Sequence, residues 1–407
     1  MTQPAILGGE PIFPERLPLV RPTLDDVPAL ARRIERILAS GLLTNGATVR
    51  ELEAATAERL QVEHVVAVAS CTAGLMLTYH ALGVGPGDRV VLPSFTFAAS
   101  AHAVVWTGAQ VDFCEVTAER GSLDVTDLEA RLDTVGPVAA ISATHVYGHP
   151  AEVDAIGRLA EARGIPVVYD AAHALGSVHA GKPVGGFGAA EVFSLSPTKV
   201  VVAGEGGLVA TGDAALAESI RLGRDYGNPG DYDCRFPGLN ARMSELHAAV
   251  AVASLGELDA HLSRRNELVD RFEAATRDIG GLRVIRPATG DRSTFKDLTL
   301  LIDADAFGID AAGLQTGLAA EQIDSRRYYH PPIHRQAAYA ERWSTRHPLP
   351  VSDDLADRVL SPPLWSHLGD DQLDRMVVAI RRIHDHAPAV SSMLTGTQVR
   401  TSTLGPW

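Results

Sequence analysis

Between Asp25 and Ser40 the apolar residues Val27, Leu30, Ile34, Ile37 and Leu38 recur at the spacing of one helix face, with two acids ahead of them and Gly41 behind. This predicts an amphipathic helix, because residues three and four apart share a side and glycine marks the stop. The polar turn Thr44-Asn45-Gly46 leads to a second helical pattern through Val49, Leu52 and Leu60. The pattern then switches to short apolar runs: Val65–Val68, Arg89–Leu92, Gln110–Phe113, Val138–Ile141 and Pro166–Tyr169, each separated by a helix-length segment. Continuous apolar strands with helical crossovers predict a mostly parallel sheet covered on both faces. In one crossover Thr126 and Glu129 have capping-box spacing ahead of Leu128 and Leu132. Two more strands, Glu191–Ser194 and Leu208–Ala210, have no helix between them, which predicts an antiparallel hairpin inside the sheet.

A helix near Ala214–Arg224 and a polar loop, Tyr226–Gly238, precede a long helical pattern from Met243 to about Thr276, which would tie the first domain to the next. From Leu282 onward a strand at Leu298–Ile302, helices at Ala311–Ala320 and Asp371–His384, and proline-rich loops predict a smaller α+β domain. The expected division is a large α/β domain over 1–250, a small domain over 251–386 and a disordered tail over 387–407, where periodic apolar residues are scarce. No internal repeat is visible.

Composition narrows the function classes. The 407 residues are 46% hydrophobic and 21% charged, ordinary for a globular chain long enough for a large core and a smaller one. A formal charge of −14 without a basic stripe excludes a nucleic-acid groove. Cys71, Cys114 and Cys234 are odd in number and widely spaced, so they predict reduced thiols in a cytoplasmic protein, with no disulfide framework and no metal-ligand set. Met1-Thr2-Gln3-Pro4 does not lead from a basic region into an apolar one, and the apolar window Val90–Trp106 contains Pro93 and His102, so neither a secretory signal nor a membrane span is expected.

In an open parallel α/β sheet, ligands bind beyond the carboxyl ends of the strands. Three segments fall there. Ser70-Cys71-Thr72-Ala73-Gly74 opens a helix and can offer hydroxyl and backbone donors to an anion. Asp170 ends a strand beside small residues, where a carboxylate can meet a protonated ring nitrogen edge-on. Lys199 sits among Ser194, Ser196 and Thr198, just ahead of Gly204-Glu205-Gly206-Gly207. Taken singly these also fit a plain N-cap, a loop aspartate and a surface lysine. Together they are what is needed to hold pyridoxal phosphate (PLP) as an electron sink.

Ordered motifs from about Leu17 to His384 carry a resemblance: Thr44-Asn45-Gly46, Cys71-Thr72-Ala73, Pro93-Ser94-Phe95-Thr96-Phe97, His145-Val146-Tyr147-Gly148-His149-Pro150, Asp170-Ala171-Ala172-His173, Ser194 to Lys199 with Gly204 to Gly207, and Gly238-Leu239-Asn240-Ala241-Arg242-Met243. In these the chain resembles the DegT/DnrJ/EryC1/StrS family of sugar aminotransferases. The resemblance implies the fold type I (aspartate aminotransferase-like) architecture: a mostly parallel seven-stranded sheet in the large domain plus the smaller C-terminal α+β domain. It implies Lys199 as the lysine that binds the cofactor covalently and moves the proton, Asp170 as partner of the ring nitrogen, Phe97 on the ring face and His173 near the ring oxygen. Thr72, the backbone at Ala73, and Ser194 would hold the phosphate. Asn240 and Arg242 would reach the phosphate of a neighbouring subunit, so a homodimer with shared sites is implied. Tyr328, Tyr329, His330 and His334 match the loop near the sugar nucleotide.

Two positions depart from the family pattern: Ser70-Cys71 stand where Asn-Gly is usual, and Tyr169 where Glu is frequent. The expected reaction moves an amino group from L-glutamate to a nucleotide-linked keto-deoxysugar, for an antibiotic or a surface glycan. A ketocyclitol aminotransferase and a non-catalytic PLP-binding regulator are the alternatives. Lys199 speaks against the family's 3-dehydratase branch, which has His there, and intact Lys199, Asp170 and Ser194 speak against the regulator.

Overall fold

The computed structural model describes residues 2–341 and 347–396. The first helix of the pattern is α1 (Val27–Ser40), capped by Asp26, whose side chain accepts from the Ala29 N–H, and stopped at Gly41 in the left-handed region. Then follow α2 (Ala47–Leu60), β1 (His64–Val68), α3 (Cys71–Ala81), β2 (Arg89–Pro93), α4 (Ala98–Trp106), β3 (Gln110–Cys114), α5 (Val125–Thr134), β4 (Ala140–Thr144), α6 (Val153–Arg163) and β5 (Val167–Asp170). A small hairpin, β6 (Val178–His179) and β7 (Lys182–Pro183), precedes β8 (Ala190–Ser194), β9 (Gly207–Thr211) and α7 (Ala214–Gly223).

The seven-stranded sheet has the order β1-β9-β8-β5-β4-β2-β3. Only β9 runs against the rest: it pairs antiparallel with both β1 and β8, the hairpin expected from the sequence. Alternation along the strands loads both faces. Val66 and Val68 of β1 join a core with Leu75 and Leu77 of α3, whereas Val65 and Ala67 join a core with Leu52 of α2. Gly74 lets α3 approach closely, since a Cβ there would lie 2.8 Å from Val192 Cγ1.

The long helical pattern is two helices, α8 (Glu245–Gly256) and α9 (Leu258–Thr276). Gly256 weakens the run and Glu257, at φ −95° and ψ 1°, breaks it. Glu245 also caps α2, where Gly46 has no side chain to do so: its carboxylate accepts from the N–H groups of Gly46 and Thr48 at 2.8 Å and of Val49 at 2.9 Å. Burial alone would push this carboxyl group up, but the backbone donors outweigh it and hold it below the usual range.

Beyond α9 lie β10 (Leu282–Val284), β11 (Leu300–Ile302), α10 (Ala304–Phe307), α11 (Ala311–Ala320), α12 (Ala337–Ala340), α13 (Pro350–Arg358), β12 (Val359–Leu360), α14 (Asp370–Asp385) and α15 (Ala387–Gly396). β10, β11 and β12 form a three-stranded antiparallel sheet. A separate core gathers Phe13 and Leu17 from the N-terminus with Leu300, Leu314, Leu373 and Ile380. Leu258 and Leu262 of α9 belong to the first body's core and Leu268, Val269 and Phe272 to this one, so α9 crosses between them.

Three expectations need correction. The α5 cap is Asp124, whose Oδ1 accepts from Thr126 N–H at 2.8 Å, so Thr126 is already inside the helix. The strand expected at Val138–Ile141 begins at Ala140, where pairing with Val90 of β2 begins. Part of the expected disordered tail is α15, because Ala387, Val390 and Leu394 share a helix face that packs on the second core. Residues 397–407 of that tail lie outside the described residues. Among the described residues no helix is long and apolar enough to cross a membrane.

Candidate active site

The carboxyl ends of β1, β5 and β8 open on a cavity of about 310 Å³ lined by Thr72, Phe97, Asp170, His173, Ser194 and Lys199, among others. The Lys199 loop connects β8 to β9, and its roots are fixed by the pairing of Ser194 with Gly207. Gly207 has to be glycine, because a Cβ there would sit 2.6 Å from Cys71 N. Inside the loop the Lys199 N–H donates to Ser196 O at 3.0 Å, Leu195 N–H to Gly206 O at 2.9 Å and Ala203 N–H to Leu195 O at 2.7 Å. Lys199 is half-buried, and its Nζ makes no hydrogen bond or ion pair among the described residues. Removal from water lowers its pKa to about 8, and the positive charge of Lys296 pushes the same way. A larger fraction of this amine is therefore neutral near pH 7 than of an ordinary lysine.

Asp170 is buried at the end of β5. Its Oδ2 accepts from Ser100 Oγ at 2.5 Å and its Oδ1 from Ala172 N–H at 3.1 Å. Ser100 and Thr144 both approach Thr96 Oγ1 at 3.1 Å, so a chain of hydroxyls stands behind the carboxylate. Phe97 precedes α4 and is 59% exposed, unusual for a phenylalanine unless a flat ligand covers it. His173 is pushed well below the usual histidine range, first by burial and then by Lys199 and Lys296, so its ring is neutral at pH 7.

At the start of α3, Ser70 Oγ accepts from the Ala73 N–H at 3.1 Å. That amide, expected to face a phosphate, is here occupied by the helix cap. Thr72 and Cys71 both line the cavity; the buried Cys71 Sγ donates to Val192 O at 3.6 Å, and burial pushes its thiol up.

Tyr328 and Tyr329 form the opposite rim. His330 lines an adjoining cavity of about 430 Å³ with Gln315, Arg326 and Arg327. His334 lines neither: it is buried with Nδ1 2.6 Å from Ser94 Oγ and Nε2 3.1 Å from Asp353 Oδ1, a packing position. Asn240 and Arg242 also stand away from this cavity, Asn240 exposed and Arg242 bonded to Asp225 with its guanidinium 5.4 Å over the Tyr226 ring.

Sequence reasoning missed Lys296 and Asp297. Lys296 lines the cavity, its Nζ 2.7 Å from Asp297 Oδ1 and 4.9 Å from the Tyr328 ring centre. Asp297 Oδ2 in turn lies 4.0 Å from His173 Nδ1. The signal available was two adjacent opposite charges inside an apolar run, Phe295 to Leu298.

An amine of lowered basicity, a hydroxyl-backed carboxylate, an exposed aromatic face and a helix N-terminus around one cavity fit pyridoxal phosphate.

Comparison with known proteins agrees. The family described as the DegT/DnrJ/EryC1/StrS aminotransferase family matches residues 26–381. A UDP-N-acetyl-3-dehydro-alpha-D-glucosamine 3-aminotransferase of Acidithiobacillus ferrooxidans is 35% identical over 351 residues, 86% of this chain and 92% of that protein. A dTDP-3-amino-3,4,6-trideoxy-alpha-D-glucose transaminase of Streptomyces venezuelae is 33% identical over 349 residues, 86% of this chain and 90% of that protein. The crystal structure of DesI in the presence of its TDP-sugar product superposes with a TM-score of 0.89 at 34% identity, covering 95% of this chain and 98% of that one. With the family match spanning residues 26–381, this chain belongs to the DegT/DnrJ/EryC1/StrS aminotransferase family.

Proposed function

We propose that the chain is a PLP-dependent transaminase that moves an amino group from L-glutamate to a nucleotide-linked ketosugar. The observation that carries this reading is Lys199, an amine of lowered basicity with no hydrogen bond or ion pair among the described residues, sharing a cavity with the hydroxyl-backed carboxylate of Asp170. Both relatives named above carry the nitrogen at carbon 3 in their names, so a 3-keto nucleotide sugar is the acceptor to which the reading commits.

Bound PLP supplies the electron sink that lets a carbon–hydrogen bond next to nitrogen break. The rest belongs to the chain. Thr72, the N-terminus of α3 and Ser194 would hold the phosphate; Asp170 would accept from the ring nitrogen and keep it protonated; Phe97 would cover one face and exclude water. Neutral His173 would stand by the ring oxygen. Lys199 Nζ would hold the cofactor and, once released by the donor amine, would take and return the proton at the substrate carbon. We also propose a cytoplasmic homodimer in which Asn240 and Arg242 complete the partner's site; the exposure of Asn240, away from its own chain's cavity, supports this.

The test is the absorbance spectrum of the protein with PLP, before and after L-glutamate is added without sugar. A visible band that bleaches with glutamate is expected, and Lys199→Ala should form no such band and lose at least about 10³-fold in amino exchange. A band indifferent to glutamate overturns the donor. No band overturns the role of Lys199. Turnover with scyllo-inosose and none with nucleotide ketosugars would favour the ketocyclitol reading.

A further inference from the structure

Outside the Lys199 cavity, three side chains from separate segments converge. Asp25 stands just before the cap of α1, His261 lies in the first turn of α9, and His367 lies in the loop between β12 and α14. Asp25 Oδ2 is 3.5 Å from His261 Nε2 and Asp25 Oδ1 is 3.0 Å from His367 Nε2. One donor atom from each residue falls within 4.8 Å of the other two. His261 is only 3% exposed, yet neither of its ring nitrogens makes a hydrogen bond among the described residues. A buried imidazole left so is an arrangement that native proteins avoid unless something else meets it.

We propose that Asp25, His261 and His367 together bind one divalent ion of the zinc class. Two imidazoles and a carboxylate are borderline donors that suit Zn²⁺ and its first-row neighbours, whereas Mg²⁺ and Ca²⁺ prefer oxygen alone. Ligands held at about 2.0–2.2 Å around one tetrahedral ion stand roughly 3.3 Å from each other. The Asp25–His261 and Asp25–His367 contacts, made by the two oxygens of the carboxylate, lie on either side of that separation. The His367 side chain is 58% exposed, so it can turn onto the ion and leave a position open to water. None of the three residues lines the Lys199 cavity, so the ion is a staple and takes no part in turnover. It joins the start of α1 to α9, the helix that crosses between the two cores, and to the loop ahead of α14. No sequence pattern announced it because the ligands come from three distant segments.

The experiment strips the PLP-loaded full chain with a chelator and titrates it with ZnCl₂ against a chromogenic indicator, following the thermal midpoint in parallel. One zinc per chain and a rise of a few degrees are expected. His367→Ala and Asp25→Asn should each weaken zinc binding by about tenfold or more, while His80→Ala, at an exposed histidine elsewhere, leaves it unchanged. Uptake no greater than that of the two variants overturns the proposal. So does an equal rise in midpoint with MgCl₂.

Discussion

Ser100 Oγ donates to Asp170 Oδ2 at 2.5 Å, and this bond orients the one carboxylate that faces the cavity from the end of β5. Ser100→Ala leaves that oxygen buried without its donor. The cofactor-free protein should lose about 1–3 kcal/mol of stability in urea titrations. The loss should be smaller with PLP bound, because a protonated ring nitrogen gives the carboxylate a charge-assisted bond in its place.

The pKa of about 8 at Lys199 makes cofactor attachment pH-dependent in a defined direction. The neutral amine is the nucleophile, so below pH 8 the attachment rate should rise about tenfold per pH unit and level off above it. Stopped-flow measurement of the visible band from pH 6 to pH 10 checks this. A rate still climbing at pH 10 would mean that the lysine has its ordinary basicity.

Lys296 and Asp297 act on that amine with opposite signs: the ammonium group lowers its pKa and the carboxylate raises it. Lys296→Met should therefore move the midpoint of the pH profile upward, and Asp297→Asn should move it downward. Both variants break the same 2.7 Å ion pair, so a merely structural role would shift both profiles alike.

Glu245 caps α2 with its carboxylate, and its pKa is held low by the backbone donors against the effect of burial. A depressed carboxyl group contributes stability that is complete above its unfolded value of about 4.3 and is lost as pH falls through the lower folded value. Glu245→Gln should cost about 2–4 kcal/mol at pH 7, from weakened charge-assisted bonds to three N–H groups. In urea titrations the gap from the wild type should close as the pH drops below about 4.

Much of the large sheet was legible because its strands are unbroken apolar runs, as at Val65–Val68, and the hairpin because no helix separates Glu191–Ser194 from Leu208–Ala210. Asp170 was legible because it ends a strand beside small residues, and Lys199 because it follows a strand among hydroxyl residues and just ahead of a glycine cluster. Lys296, Asp297 and Ser100 were not, since they reach the site only through tertiary folding. His334 was misplaced for the opposite reason: its neighbours Tyr328 and Tyr329 face the cavity, but the chain turns and buries His334 against Ser94. The break at Glu257 escaped because apolar spacing continues across it, and α15 because serines and threonines obscure its one apolar face.

The antiparallel strand β9 has a consequence for mutational tolerance. Because β8 and β9 are paired from Ser194 and Gly207 onward, the chain between them is a closed length with both ends clamped. A residue inserted or deleted there displaces the amine by up to the rise of one strand residue, about 3.3 Å, more than the error a bond-forming contact can absorb. The length of that loop is therefore constrained as tightly as the identity of Lys199 within it. Variation in what this enzyme accepts has to be sought on the other rim, where Tyr328 and His330 stand outside the clamp.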